Sequence, residues 1–68
     1  MRPVLPADLR ILLENEVSHL TRLSPVTIWR LERKGLFPRR VKLCAKRVGW
    51  VEREILAWIG ARIAARAA

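Results

Sequence analysis

The sequence predicts a small, mainly α-helical fold that carries one β-hairpin, and three observations predict it. Residues 24–34 form a sharply punctuated helix, opened by Ser24-Pro25 and closed by Gly35 with Pro38 soon after. Residues 39–50 switch to a two-residue period on both sides of a small tip. From about Val51 the helical period returns and runs towards the end of the chain.

Residues 1–8 hold two prolines and few packing side chains, so they read as a loose arm, with one domain expected over 9–68. Leu9 to Leu13 is a short apolar run broken by Arg10, suited to a brief strand that pairs with the later hairpin. Glu14-Asn15-Glu16 opens a first helix with carboxylates where the helix dipole favours them. Val17 and Leu20, with Leu13 just upstream, have the spacing of one buried face. Asn15, Ser18 and His19 are left mainly to solvent.

A tight turn then leads into the second helix. Ser24 suits its N-cap, because a serine oxygen accepts from an otherwise orphan backbone N–H. Pro25 suits the first helical position, where a missing N–H costs nothing. Gly35 suits the left-handed position just past the end, and Pro38 bars re-entry. Ile28 and Leu31 form the inward pair, with Leu23 plugging the turn. Burying both supplies roughly 3–6 kcal/mol before entropy is counted, enough to dock a helix too short to stand alone.

In the hairpin, Val41 and Leu43 alternate with Arg40 and Lys42, and Val48 and Trp50 alternate with Arg47 and Gly49. One face is thus expected to be apolar and packed on the helices, the other almost wholly cationic. The tip lacks the Asn-Gly or Asp-Gly pair of the commonest tight turns, which leaves its turn type open. In the last helix Val51, Ile55, Trp58, Ile59 and Ile63 fall on one side. Glu52 and Glu54 lie early and Arg62 and Arg66 late, in line with the macrodipole. The closing alanines favour helix but bury little, so fraying is expected at the end.

Fourteen Lys and Arg stand against six Asp and Glu, a formal net charge of +8 over 68 residues. Eleven of the cations are arginine, whose planar fork matches phosphate and guanine edges. Polyanions are the expected partner class. The single cysteine, Cys44, cannot form an intrachain disulfide. One cysteine and one histidine cannot supply the usual ligand number of a zinc site. The first residues lack a signal-peptide core, and no apolar run is long enough to cross a bilayer, so a cytoplasmic protein is expected. There is no nucleophile–histidine–carboxylate set and no phosphate-cradling glycine loop. The expectation is a non-enzyme without cofactor or metal.

A rigid, capped, basic helix set across a turn from another helix is the apparatus of major-groove reading, so double-stranded DNA is the expected partner. Ser24, Pro25, Val26 and Thr27 sit at the end that enters the groove first. Arg30 is the preferred base reader, because a guanidinium bonds both O6 and N7 of guanine. Trp29 has two open readings: it reaches a thymine methyl or sugar, or it covers part of the core. Arg33 and Lys34 are placed at phosphate. Arg39, Arg40, Lys42, Lys46 and Arg47 form a second basic site that tracks the backbone or enters the minor groove. The alternative for these five is an edge charged against strand-to-strand aggregation. A rival for the last helix is adsorption to an anionic membrane surface through its amphipathic face. That face is needed to close the core of so short a chain, so no membrane partner is expected.

The ordered set formed by Leu20-Thr21 through Leu31, Gly35-Leu36-Phe37-Pro38, Val48-Gly49-Trp50, Glu54 and Trp58 resembles the AlpA family of prophage regulators. These proteins are similar to the DNA-binding domain of MerR regulators and to phage excisionases. The likeness runs from about Leu12 to Ile59. It implies a winged helix-turn-helix of MerR/excisionase type, DNA binding, and a role in prophage or mobile-element transcription. An excision factor that bends attachment-site DNA is the alternative role it implies. Small size favours several copies on DNA, as a homodimer or a head-to-tail row, with RNA polymerase or an integrase as further candidate partners. The sequence departs from the family where glycine usually stands, with Arg22 in the interhelical turn and Cys44-Ala45 near the hairpin tip. A left-handed arginine in that turn would cost about 1 kcal/mol, unless the turn is built differently.

Overall fold

The computed structural model describes residues 10–66; the expected arm over 1–8, Leu9, and the last two alanines lie outside them. Six elements follow in order: β1 (Ile11–Leu12), α1 (Glu14–Thr21), α2 (Pro25–Arg33), β2 (Val41–Cys44), β3 (Arg47–Val51) and α3 (Glu52–Ala65). The strands form an antiparallel sheet in the order β1-β3-β2, with Ile11 opposite Val51 and Val41 opposite Gly49. This is a winged helix-turn-helix: α1 and α2 are the paired helices and β2–β3 is the wing. The brief first strand does pair with the hairpin, as the apolar run around Ile11 suggested.

The core consists of Leu12, Val17, Ile28, Phe37, Trp50 and Ile55, with Leu23, Leu31, Val48, Trp58 and Ile59 packed against it. Every element except β2 therefore contributes. Trp58 ties α3 to the loop after α2: its Nε1 donates to the Leu36 carbonyl at 2.8 Å, and its ring meets Phe37 edge-on at 4.8 Å. The two partners satisfy both the polar and the apolar part of the indole.

Several expectations about burial are corrected. Leu13 precedes α1 in extended conformation (φ −84°, ψ 168°), so helical spacing does not govern it, and it stays exposed. Its backbone N–H is held by the Glu16 carboxylate at 2.8 Å. Leu20 is also exposed, leaving Val17 as the buried residue of α1 and Leu12 of β1 as its neighbour in the core. Val41 and Leu43 do not pack on the helices. Their strand is an edge of the sheet, and of the two wing strands only β3 lies over the core. Ile63 lies too far along α3 for the core to reach and is exposed. Conversely Phe37, to which the sequence pattern assigned no packing role, is buried.

The turn between the paired helices is held by short side-chain bonds. Ser18 Oγ donates to the Leu23 carbonyl at 2.6 Å, Thr21 Oγ1 donates to Val17 O at 2.8 Å and accepts from Leu23 N–H at 3.3 Å. Arg22 closes α1 in the left-handed region (φ 61°, ψ 23°), the only non-glycine with positive φ among the described residues. The departure from glycine noted above is therefore a real backbone strain and not a differently built turn. Arg22→Gly should stabilise the protein by about 1 kcal/mol in thermal or urea melting. Arg22→Ala should give no such gain, because alanine carries the same Cβ penalty.

At the wing tip, Cys44 pairs with Arg47 after a register shift that leaves Leu43 as the extra residue. Neither Ala45 nor Lys46 has positive φ, so the turn is not of the primed type that demands glycine. The bulge at Leu43 absorbs the mismatch in twist, which explains how Cys44-Ala45 stands where glycine is usual.

Candidate nucleic-acid interface

The α2 helix is fixed at both ends as its sequence dictates. Ser24 Oγ accepts from Thr27 N–H at 3.2 Å and lies 3.0 Å from the Thr27 hydroxyl. At the other end Gly35 (φ +73°) donates to Glu32 O at 3.0 Å and Leu36 donates to Leu31 O at 2.9 Å. These two bonds are the pattern of a Schellman C-cap. A helix so pinned, with Ile28 fully buried beneath it, presents its outer face rigidly.

That outer face is Val26, Trp29, Arg30 and Arg33, four residues at the i, i+3, i+4, i+7 spacing of one helical stripe. Trp29 is 48% exposed, which decides between its two readings in favour of the surface. The Arg33 guanidinium lies over its ring at 4.8 Å. Arg30 is exposed and makes no side-chain hydrogen bond or ion pair among the described residues. Pro25 is exposed, Thr27 half-buried, and Lys34 exposed just past the helix end.

On the wing, Arg39, Lys42, Lys46 and Arg47 are exposed and unpaired among the described residues. Arg40 behaves differently from the free wing cation expected of it. Its Nε and Nη2 donate to Glu32 Oε1 at 2.9 and 2.7 Å, and its backbone N–H donates to Glu32 Oε2 at 2.6 Å. Its guanidinium lies 4.9 Å from the centre of the fully buried Trp50 ring. The hydrogen bond that Arg40 donates to the Glu32 carboxylate raises the Arg40 pKa above its ordinary value, against the opposing effect of burial. Its charge is thus neutralised from within the protein.

Between α2 and the start of the wing lies an open groove lined by Trp29, Glu32, Arg33, Arg39 and Arg40. The fold therefore brings four of the expected site residues from two separate stretches onto one concave surface. Glu32 is the member that sequence reasoning missed. The signal was present: between Glu16 and Glu52 it is the lone carboxylate, set among nine cations.

The other described carboxylates sit elsewhere, Glu14 and Glu16 in the first turn of α1 and Glu52 and Glu54 in the first turn of α3. Glu52 lies 3.6 Å from Arg10. Charge is consequently segregated, with the cations of α2 and the wing facing no uncompensated acid on their own elements. Among the described residues no group of three His, Cys, Asp or Glu could hold a metal. No helix among them is long and apolar enough to cross a membrane.

A winged helix-turn-helix whose second helix and wing both carry exposed cations defines a class of regulatory protein. Residues 10–63 match the family model of the prophage CP4-57 regulatory protein AlpA. The chain belongs to the AlpA family of prophage regulatory proteins. It is also 49% identical over 57 residues to an uncharacterized protein, ORF88, of Enterobacteria phage P4. That similarity covers 84% of this chain and 65% of the phage protein. No solved structure matches the chain.

Proposed function

We propose that the protein binds double-stranded DNA with sequence preference and regulates transcription in a prophage or mobile element. The α2 helix enters the major groove with the Ser24–Thr27 end leading, Arg30 reads a guanine edge, and Trp29 contacts a sugar or thymine methyl. Arg33 and Lys34 meet phosphate. The wing, through Arg39, Lys42, Lys46 and Arg47, follows the adjacent backbone. The observation that carries this reading is the exposed Val26–Trp29–Arg30–Arg33 stripe on a doubly capped helix, with unpaired Arg39 across one groove from it and Lys42, Lys46 and Arg47 exposed on the wing. Its apolar and forked donor groups suit base edges, while the wing supplies affinity without sequence information.

The test is selection of bound sequences from random duplexes, followed by titration of the selected duplex at several salt concentrations. Four to six phosphate contacts give a slope of log K against log salt of about −4 to −5; a slope near zero rejects the electrostatic half of the reading. Arg30→Ala should weaken the selected duplex by about 1–3 kcal/mol while leaving random duplex nearly unchanged. Equal loss on both would make Arg30 a phosphate contact. The symmetry of the selected motif reports assembly: a palindrome means two-fold dimers, direct repeats a head-to-tail row.

A further inference from the structure

An acidic side chain on the reading helix of a DNA-binding protein works against affinity unless something compensates it. Glu32 is such a residue, and its side chain is only 11% exposed at the floor of the groove between α2 and the wing. It accepts both from the Arg40 guanidinium and from the Arg40 backbone N–H. The second bond matters most, because it holds the main chain at the entry to β2 and not merely a side chain. Arg40 in turn lies against Trp50 of β3, the fully buried centre of the sheet. A continuous set of contacts thus runs from the last turn of α2, through Arg40, to both strands of the wing.

Little else fixes the wing from that side. All four residues of β2 are exposed, so packing does not set the distance between this strand and α2. The loop 34–40 that joins them has its apolar anchor, Phe37, in the core, where its ring meets Trp58 of α3.

Resting on the duplex-binding reading for its functional consequence, we infer that Glu32 and Arg40 form a positioning clasp that sets the wing at a fixed distance from the reading helix. Arg40 is then not a DNA contact. It masks the Glu32 carboxylate from phosphate and transmits the position of α2 to the wing. The clasp fixes the register between base reading and backbone grip, and so acts on specificity more than on general affinity.

Charge alone makes the opposite forecast, which allows a clean test. Glu32→Gln removes one negative charge and raises the net charge by one, so electrostatics by itself would tighten binding to every duplex. The clasp requires that it weaken the selected duplex by roughly tenfold, the worth of one charged hydrogen bond, while random duplex is bound as well as before or better. The double variant Glu32→Gln, Arg40→Gln keeps the net charge and should show the same split. Arg40→Lys keeps the charge but loses the fork, and should lie between. Amide hydrogen exchange without DNA supplies an independent measure, with residues 40–43 of the Glu32→Gln protein exchanging faster while Val17 and Ile28 keep their protection.

Binding of both duplexes that rises, or falls equally, with unchanged exchange at 40–43, overturns the clasp. Should the wild type bind no duplex at all, the DNA reading fails. Exchange then decides the clasp alone: faster exchange at 40–43 supports it and unchanged exchange overturns it.

Discussion

Trp50→Ala is expected to unfold much of the population at 37 °C, with a loss of about 3–5 kcal/mol. The ring is completely buried at the centre of the core, on the central strand of the sheet, and carries the Arg40 guanidinium on its face. Small domains hold only about 5 kcal/mol in total, so the cavity consumes most of the reserve. Far-UV circular dichroism during urea and thermal melting measures it. Trp29→Ala supplies the contrast: a half-exposed ring at the edge of the groove should change stability by less than about 1 kcal/mol, and its effect should appear in duplex binding. Similar losses for the two variants would contradict the assignment of these tryptophans to core and surface.

The second large effect is expected at a residue with no side chain. Gly49 is buried in β3 between the two outer strands. A Cβ added there would collide with Ile11 Cγ2, lie 3.0 Å from the Leu12 carbonyl oxygen, and lie 3.4 Å from Leu43 Cδ1. The isoleucine can turn aside, but the carbonyl belongs to the β1 backbone and pairs with the same strand. Gly49→Ala should therefore cost about 1–3 kcal/mol, lowering the melting temperature by about 4–8 °C per kcal/mol. Gly60→Ala provides the control. It meets no atom within 4 Å and sits inside α3, so it should stabilise by a few tenths to about 1 kcal/mol through helix propensity. Comparable melting temperatures for the wild type and Gly49→Ala would show that β1 can move away freely.

Gly49 marks a place where the chain's periodicity misleads, whereas Trp50 lies on the apolar face that the period assigns to it. Gly49 falls in step with Arg47 on the face expected to be cationic, yet it is buried because Ile11 and the Leu12 carbonyl of β1 lie against it. Trp29, Trp50 and Trp58 look alike in the sequence. One lies on the groove, one fills the core, and one bonds the loop after α2 through its Nε1. Likewise Val41 and Leu43 alternate like half of a packed hairpin, but the sheet puts their strand at the outer edge. Arg40 reads as one more wing cation until Glu32, eight residues earlier, is seen beside it.

By contrast, the features that shape the candidate interface were written locally. Ser24, Pro25 and Gly35 set the ends of α2 through bonds spanning no more than five residues, and the spacing of Ile28 and Leu31 determined which face turned inward. The wing cations are exposed because no short-range arrangement offers nine cations more than one nearby acid. The chain by itself thus determined where the helices start and stop, where the hairpin lies, and which stripe of α2 faces out. Only the tertiary structure decided which strand the core covers, where a Cβ has no room, which indole is buried, and which arginine is bound inward. Those outcomes depend on which distant segment arrives on the other side of a residue, and no pattern of neighbours along the chain encodes that arrival.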